Sequence, residues 1–320
     1  MSSTPKDLES LREHIASRVI GQQKLVDSMI TCLLADGHLL VQGLPGLAKT
    51  TAVNALSEAI EGDFHRIQFT PDLLPSDLVG TDIYRHEKGD FEFRPGPLFH
   101  NILLADEVNR APAKVQAALL ESMAERHITV GQTTYPLPQL FMVLATQNPI
   151  EQEGTYHLPE AQLDRFLMHV EVGYPTHEEE LQILDLDNNK QKEELKPPSS
   201  VLQQKTLFDM RNKVAEMYLD PKLNKYIVDI VQASRNPDRF DTDLGRCIRF
   251  GASPRASIAL ARCARARAWL NGDTYVSPEH IQLVAPEILR HRVLLNFEAE
   301  AEGITTDDFI TRLLELVAIP

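Results

Sequence analysis

A lysine and a threonine close a glycine-containing segment whose residue types could bind a phosphate group. The segment GLPGLAKT spans residues 43–50, follows the apolar run 38–41 and opens a helix-like run over residues 51–60. A strand, a turn and a helix N-terminus in this order direct backbone N–H groups and the helix dipole towards an anion. We therefore predict a P-loop in which Lys49 reaches the outer phosphates and the Thr50 hydroxyl holds Mg²⁺. The predicted nucleotide contacts are Gly43, Pro45, Gly46, Leu47, Ala48, Lys49, Thr50 and Thr51.

Ala48 stands just before the lysine, at a position where P-loops usually have glycine. Alanine tolerates the right-handed helical region but not a positive φ. We therefore predict that Ala48 keeps a negative φ and that the loop turns without a second flexible residue. An ordinary glycine and proline turn between a strand and a helix is the alternative for the whole segment.

Two carboxylates end an apolar strand and could complete a nucleotide site. Residues 101–105 read NILLA and lead directly into Asp106 and Glu107. Phosphoryl transfer to water needs an acid that holds the magnesium shell and a residue that orients the attacking water. We assign the magnesium role to Asp106 and the water-activating role to Glu107. The alternative is a strand that ends in solvent at two acids.

Asn148 follows a second apolar strand, residues 140–145. Ligands of open α/β sheets bind beyond the carboxyl ends of the strands, so Asn148 should share one edge with Lys49 and Asp106. Its amide could bond the γ-phosphate or the attacking water. An Asn-Pro pair that simply starts a turn is the alternative.

Two arginines could also meet an anion. Arg165 could pair with Asp164 or with a helix end, or it could act as an arginine finger on the triphosphate of a neighbouring subunit. Arg255 lies in the first turn of a predicted helix, where the helix dipole disfavours a cation. Its position suggests an anionic partner, and one more arginine on a solvated face is the alternative.

Ile20 and Gly21 lie in the break between the first two predicted helices. An apolar residue beside a glycine, close to a P-loop, could line an adenine ring. A plain turn between two helices explains the same pattern equally well.

The composition favours a globular protein with little affinity for nucleic acid. The 320 residues include 32 basic and 46 acidic side chains, which gives a net charge of −14. An acidic chain repels a phosphate backbone, so nucleic-acid binding is an unfavoured function. The three cysteines show no paired spacing and fit reduced thiols. No signal peptide and no membrane span are predicted, so we expect a cytoplasmic protein.

The pattern of elements predicts an α/β domain with a parallel sheet, followed by a smaller helical domain. We place the first domain at residues 1–186, with two inserted hairpins at about 80–97 and 127–137. The polar, proline-ended stretch 187–200 reads as a linker. Three capping residues that each precede a proline indicate helices in residues 201–320.

The motifs together resemble the AAA+ ATPases and, more narrowly, the MoxR family. The segments that carry the resemblance are GLPGLAKT, LLADEVNR, ATQNPIEQEGTYHLPEAQLDRF and GASPRA, within residues 19–293. The resemblance implies a three-layer α/β core with a helical lid, and ATP bound with Mg²⁺ at the junctions of a homo-oligomeric ring, commonly a hexamer. Alanine before the P-loop lysine looks like the form of this family. Partners with von Willebrand factor A domains and chaperone-like remodelling of protein complexes are also implied.

The resemblance also implies roles for three residues. Asn148 looks like sensor one, Arg165 like the arginine finger and Arg255 like sensor two. On this basis we predict that Lys49, Mg²⁺ and Arg255 neutralise the triphosphate of their own subunit, while Arg165 acts on the neighbour. Two other functions stay open: a DNA-acting AAA+ motor, and a nucleotide-gated binding module with little turnover.

Overall fold

A five-stranded parallel sheet forms the centre of the N-terminal half. The computed structural model describes residues 6–44, 46–87, 89–149, 155–190, 198 and 201–320. All four neighbouring strand pairs are parallel, so the five carboxyl ends lie at one edge of the sheet. Numbered along the chain, the strands lie in the spatial order β2 (Phe64–Gln68), β5 (Ile102–Asp106), β8 (Met142–Gln147), β1 (Leu39–Gly43) and β9 (Met168–Val172).

Both faces of this sheet are covered by helices. Successive strand residues point to opposite faces: Leu39 and Val41 join one buried apolar cluster, and Leu40 joins another. The predicted three-layer α/β core with a parallel sheet is therefore confirmed. The first cluster includes helices α1 (Lys6–Arg18), α2 (Gln23–Leu34) and α3 (Lys49–Glu58), and the second includes α4 (Pro75–Val79) and α5 (Ala113–Glu125).

Two antiparallel hairpins project from the core. Strands β3 (Gly80–Arg85) and β4 (Asp90–Pro95) form one, and β6 (His127–Val130) and β7 (Thr133–Pro136) form the other. The ring of Phe93 stacks on that of Tyr135, with centroids 4.1 Å apart and an interplanar angle of 16°. This contact joins the two hairpins.

The C-terminal region is helical apart from one short strand pair, which the sequence does not predict. Strands β10 (Ile248–Phe250) and β11 (Leu294–Leu295) pair antiparallel. The capping side chains behave as predicted for Asp220 and Ser253, which accept hydrogen bonds from Lys222 N and Arg255 N. The helices are α8 (Gln204–Glu216), α9 (Pro221–Arg235), α10 (Thr242–Cys247), α11 (Pro254–Leu270), α12 (Pro278–Leu289), α13 (Phe297–Ala301) and α14 (Thr306–Leu316).

The connection between the two regions differs from its predicted extent. After the short helix α6 (Glu160–Leu163), helix α7 (His177–Lys190) begins with a capping box between Thr176 and Glu179. Helix α7 runs past residue 186 into the stretch predicted as a linker. Most of residues 191–200 lie outside the described part of the chain. We propose that the two domains divide after Lys190.

Candidate functional site

The predicted P-loop connects β1 to α3 at the carboxyl edge of the sheet. Helix α3 begins at Lys49, so Thr50 and Thr51 occupy its first turn. Lys49 Nζ donates a hydrogen bond to the Gly43 carbonyl oxygen over 2.5 Å, across the mouth of the loop. Gly46 has φ +84°, and a Cβ atom there would meet no heavy atom within 4 Å. The backbone conformation, and not crowding, therefore selects glycine at this position.

Ala48 corrects one prediction. Its φ is +56° and its ψ is 16°, which is the left-handed region that the sequence argument excludes for alanine. The loop does turn at a second position with positive φ, and a non-glycine residue carries the cost of roughly 1–2 kcal/mol. Such strain at a helix N-terminus is characteristic of ligand-binding loops. Pro45, another predicted contact, lies outside the described residues.

A cleft of about 500 Å³ opens beside this loop. The predicted contacts Gly46 to Thr51 line it on one side. Ile20 lines it together with Ile183, Leu184 and Leu186, so one end of the cleft is apolar. Gly21 packs against α7, since a Cβ atom there would come within 2.8 Å of the Glu179 carboxyl carbon. Its predicted contact with an adenine ring stays a prediction. Gly43 is similarly required for packing, since a Cβ would lie 2.8 Å from the Val172 carbonyl oxygen.

Asp106 ends β5 and is tied to both neighbouring strands. Its Oδ1 accepts a hydrogen bond from Thr146 Oγ1 over 2.5 Å, and its Oδ2 accepts one from Arg66 Nη2 over 2.6 Å. The parallel register explains these contacts, because Gln68 pairs with Asp106 and Ala105 pairs with Ala145. The carboxylate is 8% exposed and is fixed in orientation.

Glu107 leaves the strand with a strained backbone. Its φ is +57°, its N–H donates to Thr146 Oγ1 over 2.9 Å, and its Oε2 accepts from Gln68 Nε2 over 2.7 Å and from Arg110 Nη1 over 3.0 Å. A positive φ in a glutamate is uncommon and typical of functional sites. The turn directs this carboxylate away from the line of the strand, beside Asp106.

Four residues that contact the two carboxylates are not predicted from the sequence: Arg66, Gln68, Arg110 and Thr146. Arg66 and Gln68 lie two residues apart on β2 and so point to one face. That alternation is visible in the sequence, but it does not reveal that β2 is the neighbour of β5. The strand order, which belongs to the tertiary structure, brings them to the site.

Asn148 lies just beyond β8, at the same edge as the P-loop and Asp106, and is 4% exposed. Its backbone carbonyl accepts a weak hydrogen bond from Asn109 Nδ2 at 3.4 Å. The predicted placement at the carboxyl edge is therefore observed. Its predicted contact with a γ-phosphate or water stays a prediction.

Arg165 and Arg255 line a different cavity, of about 370 Å³. Arg165 lies three residues before the start of β9, and His38, which precedes β1, lines the same cavity. Both positions lie at the amino edge of the sheet, opposite the P-loop. A five-residue strand is roughly 16 Å long, so the two cavities are separated by about the length of a strand.

Arg255 lies away from the P-loop of its own copy, because α11 packs so that Arg255 shares a cavity with Arg165. Its predicted contact with the triphosphate of its own subunit therefore has no counterpart in this arrangement, and its role at a triphosphate stays a prediction. The physical reason for this arrangement is that the lid helices pack against α2 and β9 in the apolar cluster of the first sheet face. Helix α11 thereby starts at the amino edge.

Comparisons with known proteins agree with this architecture. The profile of the "ATPase family associated with various cellular activities (AAA)" matches residues 38–168, and that of the "AAA lid domain" matches residues 241–313. The protein named Chaperone MoxR1 of Mycobacterium tuberculosis is 45% identical over 305 residues, which cover 94% of this chain and 79% of that protein. This chain belongs to the MoxR family of AAA ATPases. Protein MoxR of Methylorubrum extorquens is 31% identical over 96% of this chain and 93% of its own length.

A solved structure supports the same assignment. A candidate ATPase from Cytophaga hutchinsonii superposes with a TM-score of 0.90 at 46% identity, covering 98% of this chain and 95% of that one. As a MoxR-family AAA ATPase, the protein binds nucleotide and hydrolyses ATP. Within the described residues, no helix is both long enough and apolar enough to cross a bilayer.

Proposed function

We propose that this MoxR-family protein hydrolyses ATP with Mg²⁺ at the junctions of a homo-oligomeric ring and uses that cycle to remodel protein complexes. One observation carries the proposal: the phosphate loop with its two carboxylates and the pair Arg165 and Arg255 occupy opposite edges of one sheet. One copy does not bring these groups together. Two copies placed edge to edge would bring these groups together. Repetition of that contact would close a ring, and the family resemblance suggests that this ring is a hexamer.

The residues at the carboxyl edge suit a magnesium–ATP complex. Thr50 and Asp106 offer the hard oxygen donors that Mg²⁺ prefers. The cleft beside the P-loop joins backbone N–H groups at one end to the apolar residues Ile20 and Leu184 at the other, which matches a triphosphate and a base. When bound, Mg²⁺ would help to neutralise the negative charge of the triphosphate.

The chain's own residues divide the remaining work between two copies. Lys49 binds the outer phosphates, Glu107 orients and deprotonates the attacking water, and Asn148 supports that water or the γ-phosphate. Arg165 and Arg255 of the neighbouring copy stabilise the charge that develops on the transferred group. In well-studied NTPases an arginine supplied in trans raises the rate by roughly 10³–10⁵.

The remaining features favour a protein substrate. The β3–β4 hairpin, residues 80–95, carries four acids and three bases, and the chain as a whole is acidic. A phosphate backbone is a poor partner for such a surface. We propose a partner with a von Willebrand factor A domain on the strength of the family resemblance, and a cytoplasmic location because Cys32, Cys247 and Cys263 are free thiols.

The decisive test mixes two inactive variants. Lys49→Ala copies keep Arg165 and Arg255, and Arg165→Ala copies keep the P-loop. We expect each variant alone to be inactive and the mixture to regain ATPase activity, because intact junctions form between unlike copies. A mixture without activity would contradict the shared site.

A second experiment identifies the partner. Glu107→Gln should bind ATP normally while turnover falls at least about 100-fold. A pull-down with this variant and ATP should retain a protein with a von Willebrand factor A domain. ATPase stimulation by duplex DNA with a steep salt dependence would instead favour the motor function.

A further inference from the structure

Asp164, the residue before Arg165, connects the core to the lid through both of its carboxylate oxygens. Its Oδ1 accepts a hydrogen bond from Arg292 Nε over 2.7 Å, and its Oδ2 accepts one from Ser253 Oγ over 2.8 Å. Arg292 follows α12, and Ser253 caps α11, so both partners belong to the lid. The side chain of Asp164 is 17% exposed and that of Arg292 is 3% exposed. A partly buried carboxylate that accepts a hydrogen bond at each oxygen holds its neighbours in one geometry.

Arg292 fixes the whole loop that carries Arg165. Besides the bond to Asp164 Oδ1, its guanidinium donates to the carbonyl oxygens of Asp164, Phe166, Leu167 and Ile288. A guanidinium has five N–H donors, and these five bonds use all of them. The loop between α6 and β9 is therefore tied to the end of α12 on both sides of Arg165.

Ser253 continues the connection to Arg255. Its hydroxyl donates to Asp164 and accepts from the Arg255 backbone N–H over 3.1 Å. A single hydroxyl thus links the carboxylate beside Arg165 to the first turn of the helix that carries Arg255. The side chain of Arg165 is itself fixed on the core side, where Nη1 donates to the Leu120 carbonyl oxygen over 3.0 Å.

We propose that Asp164 is a positioning residue that holds Arg165 and Arg255 as one unit against the neighbouring copy's triphosphate. The inference rests on the proposed function, since it assumes that both arginines act in trans. The unit is built by a core loop and a lid helix that are 89 residues apart in sequence. It follows that the lid start and the arginine-finger loop move together.

Ser253→Ala is the most informative variant, because Asp164→Ala would leave Arg292 buried without its counter-charge and could unfold the protein. Ser253→Ala removes the link between Asp164 and α11 together with the side-chain cap of α11, and it leaves the Arg292–Asp164 ion pair in place. We expect turnover to fall about ten-fold or more at an unchanged KM, because a small displacement of a catalytic group lowers kcat. Ser253→Thr keeps the hydroxyl and should restore turnover.

Ser277→Ala is the matched control. Ser277 also precedes a proline at the start of a lid helix, and its hydroxyl contacts His280, not Asp164. Both alanine variants lose a helix cap, so both should lower Tm similarly. Only Ser253→Ala should lose turnover and regain it on mixing with Lys49→Ala copies, which supply an intact arginine pair.

The outcomes separate this inference from the proposed function. If Arg165→Ala and Lys49→Ala copies fail to complement each other, the shared site is wrong and the inference falls with it. If they do complement each other but Ser253→Ala has the same turnover as Ser277→Ala, the inference alone is overturned. An increase in KM at constant kcat for Ser253→Ala would overturn it equally.

Discussion

Gln68 Nε2 donates a hydrogen bond to Glu107 Oε2 over 2.7 Å, which ties the carboxylate that we propose to activate water to the neighbouring strand. Arg110 Nη1 bonds the same oxygen over 3.0 Å. Both bonds hold the same carboxylate oxygen, so we expect them to restrain the rotation of this carboxylate towards a water molecule.

Replacing Gln68 with alanine should release that restraint. A hydrogen bond at an exposed site contributes about 1 kcal/mol, which corresponds to roughly a five-fold change in rate. We expect Gln68→Ala to raise the basal ATPase rate by about that factor, with the affinity for ATP unchanged. Steady-state kinetics would measure both. A ten-fold loss of turnover would mean that Gln68 holds Glu107 in its working orientation.

Replacing Thr146 with valine should weaken the whole carboxylate pair. Thr146 is 1% exposed, and its hydroxyl donates to Asp106 and accepts from the Glu107 N–H. Valine has the same shape but leaves two buried polar groups without a partner, at a cost of about 2 kcal/mol. We expect the free energy of unfolding in urea to fall by that amount and turnover to fall with it. Thr134→Val, on the exposed hairpin, is the control and should change neither.

Two substitutions at Ala48 test whether its positive φ is required. Glycine adopts φ +56° without strain, whereas a β-branched residue strongly disfavours it. We expect Ala48→Gly to keep nucleotide affinity within about three-fold, and Ala48→Val to lose about ten-fold or more, because the strain amounts to roughly 1–3 kcal/mol. Titration with a fluorescent ATP analogue would measure both. Equal affinity of the two variants would show that the left-handed conformation is unnecessary for binding.

Acid should destabilise the contact between core and lid through His169. Its ring is buried, neither ring nitrogen has a hydrogen-bond partner among the described residues, and burial lowers its pKa to about 3, with a further contribution from Arg290 opposed by Asp307. Below a pH of about 6.5, His169 is protonated in the unfolded chain but stays neutral in the folded protein. Stability is therefore complete above that pH and falls as the pH drops towards 3, by up to about 1.4 kcal/mol per pH unit for this residue.

His169→Leu should make this dependence shallower. Urea unfolding at a series of pH values between about 7 and 4 would give the slope, which should decrease by up to about 1.4 kcal/mol per pH unit. His157→Leu replaces an exposed histidine and serves as the control. The same slope in His169→Leu and the unsubstituted protein would contradict the assignment.

The local sequence determines the chemistry that this protein carries. Asp106 and Glu107 are recognisable at the end of an apolar strand, and Lys49 and Thr50 are recognisable in the glycine-containing segment after another. The carboxyl ends of parallel strands must meet at one edge of the sheet. The α/β domain with its parallel sheet and the helical domain after it follow from the same patterns, and the three-layer core and the lid are what the family resemblance implies. These features depend on short stretches of chain, which a sequence displays directly.

Only the tertiary structure decides how distant elements face one another. Gln68 and Arg66 reach the carboxylates because β2 is the neighbour of β5, and Arg255 joins Arg165 because the lid packs on α2 and β9. The positive φ of Ala48 is likewise imposed by the surrounding loop against the preference of the residue. Strand order, lid placement and backbone strain each depend on packing across the whole chain, and no local pattern encodes them.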